Sequence, residues 1–176
     1  MDANLIGRLE TLVASHEHLA RRAREELDQL KALPAPDEFD VMRAQAFIHA
    51  HVGMNDLAAK QLNALTSETR GLQPEILNKL AQVKLRRSQP GDAREAHVAA
   101  KKVLEINTAD NGDLWLAHQN IALAHLAEGN VADAEAHAVQ ALHFVDDQRT
   151  HELMSAIRAS QSDAVPYMSS MERMKF

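Results

Sequence analysis

Apolar and small residues recur three and four positions apart through most of this chain, the spacing that lines one face of a helix. The pattern predicts helices near 37–51, 55–68, 74–88, 92–107, 113–128, 131–145 and 148–161. Breakers fall between them: Pro34 and Pro36 precede the first, Pro74 opens the third, and Asn111-Gly112-Asp113 precedes the fifth. A further helical stretch runs from Asn4 to Leu33, with Leu5, Leu9, Leu12, His16, Leu19, Ala23, Leu27 and Leu30 in a heptad-like stripe. That stripe reads either as a coiled-coil dimerisation arm or as a helix, or a hairpin bent near Ser15, that packs on the first repeat.

The predicted helices form a repeat. Gly53, Gly91 and Gly129 stand 38 residues apart, and the same interval links Ala58, Ala96 and Ala134. It also links Leu62, Ala100 and Ala138, and then Leu65, Val103 and Ala141. Each unit is therefore expected to be a helix, a tight turn at glycine, and a second helix whose small residues let the first approach closely. Short connections make successive helices antiparallel neighbours.

This pattern resembles the tetratricopeptide repeat, most clearly from Trp115 to Leu142. There Ile121 and Ala122 take the family's leucine–glycine positions, His125 the tyrosine position, Gly129 the turn, and Ala134, Ala138, Ala141 and Leu142 the second helix. The unit from Leu77 to Leu104 matches through Val83, Gly91, Ala96, Ala100, Val103 and Leu104, with Lys84 at the family's small position. The unit from Phe39 to Leu65 matches through Ala46, Gly53, Ala58, Leu62 and Leu65. Two features depart from the family: the period is longer than usual, and the proline that closes each unit is absent. The resemblance implies an all-α fold, a right-handed stack of antiparallel hairpins forming a short solenoid. Residues 37–147 would hold three repeats, preceded by an N-terminal helix or hairpin over 1–36. A capping helix over 148–161 and a tail over 162–176 would complete the chain, since an end repeat otherwise exposes its core.

Composition agrees with an all-α chain: 45% of residues are hydrophobic, but only one tryptophan, one tyrosine and four phenylalanines are present. No cysteine occurs, which removes disulfides, thiolate metal sites and a cysteine nucleophile. No stretch reaches the length of a membrane span, and the first residues lack the pattern of a secretory leader, so a cytoplasmic protein is expected. A net charge of −6 argues against a broad nucleic-acid surface.

Ten histidines invite a search for metal chemistry. His16 and His18, like His49 and His51, are two apart and point in different directions on a helix. His118 and His125 are seven apart and share a face, but no carboxylate in that helix completes a ligand set. No nucleotide-binding glycine loop, metalloprotease motif or nucleophile elbow occurs. No cofactor, metal site or catalytic residue is therefore assigned, and the chain is read as a non-enzyme.

What remains is binding. In tetratricopeptide arrays the first helix of each unit lines a groove, and the resemblance carries that role onto Arg43, Phe47, Asn78, Leu85, Leu116, Gln119, Leu123 and Leu126, with Asp40 and Ala81 beside them. Arg43 and Asn78 coincide with two positions of the family's carboxylate clamp, but Phe47, Leu116 and Asn120 replace its other members. The expectation is a protein-interaction module, an adaptor or chaperone, that grips an apolar partner segment; three repeats in a chain this long also resemble the plan of class II type III secretion chaperones. The alternative is a self-assembling subunit, in the simplest case a homodimer, joined through the N-terminal stripe or the tail.

Overall fold

The computed structural model describes residues 37–68 and 72–172, with side chains as far as Ser160, and seven positions between Arg21 and Ala32. Seven helices are delimited there, and no strand: α1 Glu38–His51, α2 Asn55–Thr66, α3 Pro74–Arg87, α4 Asp92–Leu104, α5 Asn111–Ala127, α6 Val131–Phe144 and α7 Gln148–Glu172. The fold is all-α, with neighbouring helices packed together in a manner compatible with a helical repeat. The N-terminal stripe lies outside the described residues, as does the end of the tail. The expected tail is in part corrected: α7 does not stop at 161 but continues to Glu172. Once a helix has nucleated, each added residue is cheap, and Ala164, Met168, Met171 and Glu172 are all strong helix formers.

The chain divides between residues 71 and 72 into two compact units. The first contains α1 packed on α2. In the second, each helix from α3 to α7 packs on the next, and α5 also touches α3 and α7. Helix starts obey local chemistry. The Asp37 carboxylate accepts from the Phe39 N–H at 2.9 Å, and Pro74 occupies the first turn of α3. Helix α5 begins at Asn111, earlier than the glycine at 112 suggested, because Asp110 and Asp113 form a reciprocal capping box around the first turn.

All three periodic glycines sit in inter-helix turns with φ of +81°, +87° and +79°. Gly53 and Gly129 close the same motif. Each stands two residues past the end of its helix, and the next N–H bonds back to a carbonyl five positions earlier, Met54 to His49 and Asn130 to His125. The Gly91 turn is built differently. Pro90 stands one period from Val52 and Glu128, which cap α1 and α5 in near-helical conformation. A proline there disfavours helix at Gln89, so α3 ends at Arg87 and Ser88 takes a left-handed cap at φ 53°.

The nine positions in the alanine and leucine register are fully buried: Ala58, Leu62 and Leu65 on α2, Ala96, Ala100 and Val103 on α4, Ala134, Ala138 and Ala141 on α6. Ala134 and Ala138 pack with Ala122, Leu153, Met154 and Ile157, which ties α5, α6 and α7 into one cluster. Leu77, Val103 and Ala117 do the same for α3, α4 and α5.

This packing sets the cost of two substitutions. Ala134→Leu should destabilise by ~1–3 kcal/mol through overpacking, and an undiminished melting temperature would place the site where extra volume fits. At Gly129 an added Cβ meets nothing within 4 Å. The cost of Gly129→Ala should therefore be conformational alone, ~1–2 kcal/mol by denaturant unfolding.

Candidate functional site

Helix α5 is enclosed by α3, α4, α6 and α7, and polar side chains fix its position as well as alanines do. The Asn120 side-chain amide donates to the Asn78 carboxamide oxygen at 3.3 Å, and Asn78 donates to the Asp113 carbonyl at 3.0 Å. On another side, the Thr150 hydroxyl oxygen accepts from Trp115 Nε1 at 3.0 Å and from Gln119 Nε2 at 2.6 Å. Asn78, Asn120 and Thr150 are nearly or fully buried. Each amide or hydroxyl thus replaces its lost water with a partner on a neighbouring helix.

These bonds settle the position of the residues named from the sequence. Asn78 is 2% exposed and Ala81 is fully enclosed, so neither presents a surface to a partner. That corrects the expectation for both: Asn78 is turned onto α5, and Ala81 is buried in the core. Leu116 is half-buried. Arg43 and Phe47 belong to the first unit, where both are half-buried and Arg43 lies 3.4 Å from Asp40.

Four of the named residues do converge. Leu85 of α3 and Gln119, Leu123 and Leu126 of α5 line a depression of about 530 Å³, completed by Gln82, Arg86, Asn120 and Ala127. Leu123 is 40% exposed. Gln119 contributes mainly its stem, since its amide is held by Thr150. The sequence reading missed Gln82 and Arg86, although their spacing from each other, and their place on either side of Leu85, put them at the same rim.

A second depression, of about 700 Å³, borders the first at Leu85 and Ala127 and lies over the Gly91 turn. Its floor explains Lys84. Ala46 and Ala122 occupy the equivalent positions in the other repeats and are fully buried; Lys84 is also buried, at 3% exposure. Its ammonium pairs with Glu95 and lies 3.8 Å from the buried Asp92 carboxylate. Arg87 Nε and the Gln89 N–H each donate to Asp92 at 2.9 Å. The hydrogen bond from Arg87, aided by that from Gln89 and by the charges of Arg87 and Lys84, outweighs burial and holds the Asp92 carboxyl below the usual carboxylate range.

Among the described residues, no group of three or more histidines or carboxylates has the geometry to hold a metal ion, and no helix is long and apolar enough to cross a membrane. Comparison with family models, with curated proteins and with solved structures finds no match. The likeness to tetratricopeptide repeats therefore rests on the residues themselves.

Removing the Asp92 carboxylate leaves Lys84 and Arg87 short of their shared anion. Asp92→Ala should cost ~3 kcal/mol, measured by urea unfolding at neutral pH. The lowered proton affinity sets the sign of the pH effect. The wild-type advantage is fully present above the unfolded carboxylate value of roughly 3.9 and is lost as pH falls through the lower folded value.

Proposed function

We propose that this chain is a non-enzymatic protein-interaction module, adaptor or chaperone in character, built as a short tetratricopeptide-like stack. Its partner segment seats in the groove between α3 and α5. The observation that carries this reading is the convergence of Leu85, Leu123 and Leu126 on one open depression with a polar rim. The 38-residue register, with nine buried positions and three left-handed glycines, supports the stacked-hairpin architecture.

The chemistry of the groove selects the kind of segment. Its floor is aliphatic, its rim carries the amide of Gln82 and the guanidinium of Arg86, and nothing in it resembles the cluster of bases that grips a terminal carboxylate. Such a surface suits a helical or extended segment with two or three large apolar anchors. An acidic group beside those anchors would face Arg86. Exposed leucine in a concave setting is a common mark of such sites, because water leaves it readily when a partner arrives.

The test is a paired capture from the source cell with wild type and with the Leu85→Ser/Leu123→Ser variant. The partner retained by the wild type should bind the variant about thirtyfold or more weakly, since two central apolar anchors are lost. Far-ultraviolet circular dichroism should be nearly unchanged. Equal affinity in a correctly folded variant would rule out this groove.

A further inference from the structure

Four histidines that no binding role uses form a continuous line across three helices. His118 on α5 lies against His137 on α6, with ring centroids 5.2 Å apart and their Nδ1 atoms 2.9 Å apart. His137 lies 5.7 Å from His125, two turns further along α5, and His125 lies 4.7 Å from His97 on α4, edge to face. Phe144 covers the outer end, stacked on His118 at 5.6 Å. The Nδ1 of His125 is buried and makes no hydrogen bond among the described residues.

We propose that this row is a proton-operated latch: neutral, it clasps α4 and α6 to α5, and on taking up protons it loosens those seams.

The hydrogen bond between the two Nδ1 atoms sets the limit. One ring must donate and the other accept, so the pair tolerates a single charge, whereas a second proton turns both atoms into donors facing each other. Every ring in the row has another imidazole within 6 Å, so charge on one raises the cost of charge on the next. Burial, and then His137, lowers the proton affinity of His118. Burial, and then His125 and His97, does the same for His137, despite Asp133 on its own helix. For His97 the causes are burial and His125, reinforced by Lys101 and opposed by Glu128 just past α5. On the other helices packed on α5, Lys84 of α3 is engaged by Asp92 and Glu95, and Thr150 of α7 by Trp115 and Gln119.

The sign is fixed by these directions. With folded proton affinities lowered, the unfolded chain binds protons more readily just below the ordinary histidine value of roughly 6.5. The stability is fully present above that value and lost as pH falls through it towards the folded values. Acid pH thus loosens the helix that carries the groove.

The chain's own first repeat supplies the test variant. His125 stands two periods from His49, and His137 two periods from Gln61. There His49 Nδ1 meets Gln61 Oε1 at 2.7 Å, an imidazole paired with an amide that does not titrate. His137→Gln copies that pair into the latch. The wild-type melting temperature should fall by about 5 °C or more from about pH 7.5 to about pH 5.5, a window above the carboxylate range. His137→Gln should fall by less than about half as much. A flat wild-type profile, or an equal fall in the variant, overturns the latch. Should the variant not fold, imidazole titration of the wild type by nuclear magnetic resonance decides. His118 and His137 must then titrate below the ordinary histidine value of roughly 6.5, and midpoints at or above it overturn the latch.

Discussion

The second unit depends on one constraint: α5 must be enclosed by four helices at once. A helix so surrounded buries few large apolar side chains, and α5 meets this with Ala117, Ala122 and Ala124, all fully buried, beside one large buried apolar residue, Ile121. Close approach brings its own difficulty, because any polar side chain on such a helix loses water on every side. Asn120, Gln119 and Trp115 resolve it by bonding across to Asn78 or Thr150. Alanines set how near the neighbours come, and the amides set where along α5 they stop, since a hydrogen bond has far stricter geometry than a methyl contact.

The Gly91 turn shows how one repeat departs from its siblings without losing the register. Lys84 stands where Ala46 and Ala122 stand, and an unpaired ammonium at such a depth would be costly. The compensation comes from Asp92, whose equivalents Met54 and Asn130 are exposed. Pro90 ends α3 early, the turn is rebuilt, and Asp92 becomes the buried first residue of α4, within reach of Lys84, Arg87 and the Gln89 N–H. The lysine, the proline and the aspartate therefore form one coupled change. Reverting any one of them alone would leave the others mismatched.

The sequence made the helices legible because their signal is redundant: a buried face, glycine at +38 intervals and proline or aspartate at the starts all agree. The buried register was equally legible, since alanine in a periodic position has few uses besides close packing. Groove residues were harder. Position in the register identifies which helix side a residue occupies, but not whether a neighbour covers it. Asn78 and Ala81 occupy the same side of α3 as Leu85, yet both are buried. The histidine row was illegible for a different reason. His118 and His125 share a helix face, and their spacing was visible, but His97 and His137 join them from two other helices and share no period with them. Only packing brings the four together.

The two faces of α5 carry different chemistry. Leu123 looks towards α3 and the depression, Leu126 lies at its edge and also packs on the α5–α6–α7 cluster, and His118 and His125 look towards α4 and α6. A rigid helix cannot shift one face without moving the other. One helix carries both Leu123 and the imidazoles, so on the proposed latch a loosening of the α5–α6 seam would also act on the side that faces Leu85. The alanine seam restrains that motion, because Ala122, Ala134 and Ala138 lie in the same cluster as Ile157 of α7. Close-packed alanine has little volume to give, so local repacking offers α5 little relief from strain.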